Sequence, residues 1–174
     1  MSATHAVVCL PPKGFPVNTS NQYLQILRDC LALAQLPDRA EDIVAGAPFH
    51  LGETAFTLQA DDAGELVTVQ AELGSPPEGR EREVYELLLH SNLLLAGSFG
   101  PVFALRVDQP VLLMVLTLPV SALTPEGLHQ SLERAAEAAT VWRVTQGFTP
   151  SADPAPRRVA AHPRQSFAGS LVSR

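Results

Sequence analysis

The chain has 174 residues, 46% of them apolar, which suits one globular domain with a real core. Its formal net charge of −6 is unevenly placed: residues 1–150 carry 8 basic against 17 acidic side chains, whereas residues 151–174 carry four arginines against Asp153 alone. The acidic body argues against a nucleic-acid partner, whose phosphates need a basic surface, and no apolar run approaches the ~20 residues that span a membrane.

Residues 1–17 form an extension in which Pro11, Pro12 and Pro16 forbid regular structure. Thr19 opens a capping box with Gln22, and the first long helix follows to about Ala34. Leu24, Leu27, Leu31 and Ala34 make its stripe, with Ile26, Cys30 and Leu33 on the flank. Residues 38–50 are mixed, with room for a short extra strand around Phe49. Thr54–Ala60 and Leu66–Leu73 alternate as half-buried antiparallel strands around the turn Asp61-Asp62-Ala63-Gly64.

Ser75-Pro76-Pro77-Glu78 reads as a second capping box, starting a helix that ends near Ala96. Val102–Val107 is a strand with Phe103, Leu105 and Val107 on one face. Val111–Leu118 is apolar on both faces, which predicts a central or doubly covered strand. Thr124 caps a last helix over 125–146, with Leu128, Leu132, Ala135, Ala139 and Trp142 as its stripe. Pro, Ser, Ala and Arg then dominate residues 149–174, which predicts a disordered basic tail. The folded unit is thus residues 18–148. Helices separated by hairpins predict an α+β fold, an antiparallel sheet with three helices in the order α-β-β-(β)-α-β-β-α.

The second helix is apolar on more of its circumference than one core can use. Val84, Leu87, Leu88, Leu94 and Leu95 spread over one broad face, and Tyr85, Leu89, Leu93 and Ala96 fill a sector beside it. A surface helix needs one stripe. The surplus sector predicts a two-fold homodimer built on Tyr85, Leu89, Leu93 and Ala96.

Nothing in the sequence points to catalysis. The five histidines are scattered without metal-ligand spacing. Ser98, in Ala96-Gly97-Ser98-Phe99-Gly100, lacks the pattern of a nucleophile elbow. Cys9 and Cys30 form neither a metal motif nor a disulfide framework, so a reducing compartment is expected. No phosphate loop is present, and no cofactor is implied.

Several segments together carry a family likeness. They are Tyr23-Leu24-Gln25-Ile26-Leu27-Arg28-Asp29-Cys30-Leu31, Ala71-Glu72-Leu73-Gly74 before the prolines, and Leu87-Leu88-Leu89-His90-Ser91-Asn92-Leu93. Leu116-Thr117-Leu118-Pro119-Val120-Ser121-Ala122-Leu123 and the helix Ala135 to Arg143 complete the set. In this order they resemble a class I type III secretion chaperone of the CesT/Tir-chaperone family, over about residues 20–146. The N-terminal extension and the basic tail lie outside that pattern. The resemblance implies a bacterial cytosolic homodimer without enzymatic activity. It would bind an N-terminal region of a secreted effector, keep it extended, and present it to a component of the secretion apparatus.

An extended cargo needs apolar pockets beside an open strand edge. Ile26, Leu33, Phe49, Leu51 and Phe56 are the residues expected to supply them. The competing readings are a small-molecule-binding α+β domain or enzyme, its cavity lined by these same apolar side chains, and a secretion regulator.

Overall fold

The computed structural model describes residues 19–97, 100–106 and 109–150. Helix α1 (Thr19–Leu33) leads through a 3-10 turn at Pro37–Arg39 into the short helix α2 (Ala40–Val44), which falls in the stretch the sequence leaves mixed. Strands β1 (Phe49–Leu51), β2 (Thr54–Ala60) and β3 (Leu66–Gly74) follow, then helix α3 (Glu81–Leu95), strands β4 (Val102–Leu105) and β5 (Leu112–Pro119), and helix α4 (Pro125–Gln146). The sheet is antiparallel throughout, in the order β1-β2-β3-β5-β4. The α+β architecture and the optional strand at Phe49 are therefore present. The extension 1–17, the Thr19 side chain, Ser98, Val107 and the tail beyond Pro150 lie outside the described residues.

Period-2 alternation places β3 as expected. Val67, Val69, Ala71 and Leu73 are fully buried on one face. Helices α1 and α4 cover that face through Leu27, Leu31, Leu128 and Leu132, each also fully buried. Burying each such leucine contributes about 1.5–3 kcal/mol. Strand β5 lies between β3 and β4 and buries Leu113 and Met114 on opposite faces, as its two-sided apolar sequence requires. The Asp61 carboxylate closes the β2–β3 turn by accepting from the N–H groups of Glu65 (2.8 Å) and Leu66 (3.1 Å).

Three expectations are corrected. Ser75 is not a helix cap. Its N–H donates to the Thr149 carbonyl (2.8 Å) and its carbonyl accepts from the Thr149 N–H (2.9 Å), so it extends the sheet. The helix starts six residues later, because two prolines and Gly79 (φ +79°) keep the chain irregular until Glu81. This pairing also draws Thr149, expected in the tail, into the folded ladder. Gly74 makes the approach possible: at φ +110°, a β-carbon there would sit 2.5 Å from the Thr149 carbonyl oxygen.

Second, the buried stripe of α1 runs through Tyr23, Ile26, Leu27, Cys30 and Leu31. It is rotated from the expected one, leaving Leu24 half-buried and Leu33 exposed. Third, α4 ends its core stripe on Arg143 rather than Trp142. Trp142 instead lies half-buried between Phe103 (5.1 Å) and Phe148 (6.2 Å).

Candidate functional site

Among the described residues, two apolar surfaces are exposed and one strand edge has no partner strand. The first surface lies on α3. Only Val84 and Leu88 are buried, with Tyr85 and Leu95 half-buried against the core. The expected single broad face therefore splits. Leu87 and Leu94 (84% exposed) project on one flank, and Leu89 (66%) and Leu93 (73%) project with Ala96 on the other. Val102 and Leu105 of β4 add exposed apolar surface nearby. The polar side of α3 carries the ion pairs Arg80–Glu83 (2.8 Å) and Arg82–Glu86 (2.8 Å). The Arg80 guanidinium, by hydrogen bond and charge, holds the Glu83 carboxyl below its ordinary range.

Between the buried stripe and the Leu89 flank sits Asn92. Its side-chain amide donates to the Phe103 carbonyl (2.9 Å) and its oxygen accepts from the Phe103 N–H (2.7 Å). Phe103 belongs to β4, an outer strand of the sheet. The side chain thus satisfies the two backbone groups that an added strand would use, which blocks this edge.

The opposite edge is different. Leu51 and Thr54 flank a two-residue turn with Gly52 at φ +58°, so they close a tight hairpin and exchange its first ladder bonds. His50 then turns its N–H and C=O away from β2. Among the described residues no strand pairs with this outer side of β1.

Beside that edge lies the second surface, a groove of about 950 Å³ between the end of α1, the β1–β2 hairpin and the outer face of α4. Leu33 (48% exposed), Ala34, Leu51, Ala136 and Val141 (59% exposed) give it apolar walls. Glu53, Glu133 and Glu137 give it an acidic rim, and among the described residues no lysine or arginine lines it. His129 at one end lies 3.4 Å from the Glu133 carboxylate.

The five residues expected to bind cargo separate here. Leu33 and Leu51 line the groove. Ile26, Phe49 and Phe56 do not, since all three are core residues. Phe49 and Phe56 stack on each other at 5.7 Å as a cross-strand pair facing the helices. The residues that sequence reading missed are those of α4. Val141, which lines the groove, stands off the core stripe by more than about 100°, and an off-stripe valine was the available signal.

Under the hairpin, Arg143 is only 8% exposed. Its Nη2 donates to Thr54 Oγ1 and to the Glu72 carbonyl (3.4 Å), while Nη1 lies 4.0 Å from Glu53. These bonds fix the last turns of α4 to β2 and β3 and so hold the groove's walls together. On the far side, Arg106 spans β5 to pair with Glu72. Burial pushes the Cys30 thiol and the Tyr23 hydroxyl each up to about 12. Among the described residues there is no cluster suited to a metal ion, and no helix is long and apolar enough to cross a membrane.

A sequence profile of the Tir chaperone protein (CesT) family matches residues 25–143. No curated protein matches by sequence. Several solved structures share the fold. A chain of the ExsC–ExsE complex superposes with a TM-score of 0.62 at 18% identity, covering 76% of this chain and 97% of that one. A chain of the HopA1–SchA chaperone–effector complex gives 0.57 at 20% identity, covering 74% and 99%. A chain from the complex of the Yersinia pestis type III secretion chaperone SycH with a fragment of YscM2 gives 0.51 at 14% identity, covering 69% and 98%.

Proposed function

Because this chain belongs to the Tir chaperone protein (CesT) family, we propose that it is a type III secretion chaperone that holds an extended segment of one effector in the groove between α1, the β1–β2 hairpin and α4. The observation that carries this reading is the groove's position beside an open strand edge. A cargo strand pairs with His50 of β1 and sets its alternate side chains against Leu33, Leu51 and Val141. The acidic rim favours cargo segments that mix apolar and basic residues. In this reading the segment comes from the effector's N-terminal region, and the complex hands it unfolded to the secretion apparatus. Binding needs no catalytic group, and the family is one of chaperones.

The α3 surface has a separate role. Leu89, Leu93 and Ala96, with Tyr85 behind them, form a self-complementary homodimer face. Exposed leucines on both flanks of one helix suit an interface core better than solvent. Asn92 keeps the β4 edge from pairing, so the two subunits meet through side chains rather than a continuous sheet.

The test is a paired measurement on Leu33→Asp and Val141→Asp. Both side chains are exposed, so both variants keep the melting temperature of the parent. Each loses most cargo in copurification from the native cytosol. Full cargo retention by folded variants removes this groove from the proposal.

A further inference from the structure

The groove lies close to the point where the described chain ends. Described structure ends at Pro150, which lies against His50, Glu53 and Arg143. Glu53 lines both that small pocket and the groove. Pro150, the last described residue, therefore stands close to one end of the groove. The groove follows α4 from Val141 back to His129, about 18 Å at the helical rise. Glu137 and Glu133 stand one turn apart along this track. Residues 151–174 carry a net charge of +3, and their first cations, Arg157 and Arg158, come seven and eight residues after Pro150. Seven extended residues span about 25 Å, enough to bring both arginines beside Glu137 and Glu133. Val159, Ala160 and Ala161 follow, small enough for a shallow floor made of Ala34, Ala136 and Leu33.

We propose that residues 151–174 of the same chain occupy this groove, with Arg157 and Arg158 against Glu133 and Glu137, as a built-in competitor of cargo. The docking stands on position and charge alone; the competition rests on the cargo reading of the groove. A tethered segment has an effective concentration on the order of 1 mM. If its groove affinity as a free peptide is about 0.1 mM, it lowers cargo affinity roughly tenfold. An empty chaperone would thus shield its apolar groove, and a tight cargo would still displace the segment.

The experiment uses the full-length protein, labelled at leucine and valine methyl groups, without cargo. Charge reversal by Arg157→Glu with Arg158→Glu shifts the methyl resonances of Leu33, Leu51 and Val141 and leaves those of buried Leu128 and Leu132 in place. Raising NaCl from about 50 to about 500 mM moves the native protein toward the same positions, because the ion pairs are screened. Adding Glu133→Arg and Glu137→Arg to the reversed segment restores the native shifts. Unmoved groove methyls overturn the proposal. So does a response confined to Leu89 and Leu93, which places the segment on α3. A response to deletion of residues 1–17 but not to the reversal assigns the groove to the N-terminal extension. Docking that disappears on tenfold dilution assigns the groove to another copy; both results also overturn the proposal. Cargo copurification is scored separately. Cargo that ignores the groove, with the methyl shifts as expected, removes the cargo reading and leaves the docking intact.

Discussion

Asn92 shows how much one side chain decides. It satisfies both free backbone groups of Phe103 on the outer strand. Asn92→Leu is the same size, but leaves a part-buried N–H and C=O without partners. A loss of about 1–3 kcal/mol in urea unfolding is expected, with soluble aggregates in light scattering as the β4 edge opens. Unchanged stability and a clean monodisperse sample would remove the edge-blocking role. The two groups with raised pKa predict a pH dependence. Cys30 and Tyr23 are held neutral by burial, at about 12 each, against ordinary values of 9.0 and 10.0. The unfolded chain deprotonates first as pH rises. Their contribution is therefore complete below pH 9 and is lost from there up to about pH 12, at about 1.4 kcal/mol per pH unit for each titrating group. Chemical unfolding measured between pH 8 and 11 checks the slope. A flat profile contradicts the burial of both groups.

Among the elements, periodicity was a good guide to helices and strands and a weaker guide to their faces. The last helix was legible from Thr124, whose hydroxyl accepts from the Gly127 N–H (3.0 Å), to Gly147, whose left-handed φ of +70° ends it. The start of α3 was not legible, because Ser75-Pro76-Pro77-Glu78 matches a capping box while the Ser75 backbone is claimed by Thr149, 74 residues away. The surplus leucines of α3 were visible in sequence, although which of them face the core was not. Leu89→Asp and Leu93→Asp test the element's proposed role. Both positions are exposed in the single chain, so the proposed interface expects each variant to fold and to sediment as a monomer, and the parent to sediment as a dimer. A folded dimer from the double variant refutes this face as the interface. Ile26→Asp and Phe49→Asp behave differently. A charge placed in the core costs several kcal/mol, about 3–5, and each variant unfolds or aggregates.

For the molecule as a whole, the Thr149 ladder sets how far the C-terminal end contributes to stability. Cutting after Thr149 keeps the Ser75 ladder and leaves the melting temperature within about 2–4 °C of the parent, as for a surface change. Cutting after Gln146 removes Phe148, which is buried beside Trp142, and the Thr149 ladder with it. That cut costs about 3–5 kcal/mol, on the order of a lost core aromatic. Thermal melts of the two truncations distinguish them, and equal stability would show that the closing segment does not hold the sheet.

Local spacing was enough to establish the α+β class, the antiparallel hairpins, the buried face of β3, the capped last helix and the surplus apolar surface of the second long helix, while the family was legible only as a resemblance carried by several segments in order. Alternation, capping and turn chemistry are set by residues within a few positions of one another, so they can be read before folding. Which apolar residues are surface and which are core was settled only by packing. Phe49 and Phe56 resemble pocket residues until β1 pairs with β2 and turns both rings inward. Arg143 and Thr54, 89 positions apart, become neighbours only when α4 lies across the sheet. The groove has no local signature, because its walls come from the end of α1, a hairpin and the outer face of α4. A surface assembled from three distant segments exists only once packing has brought them together.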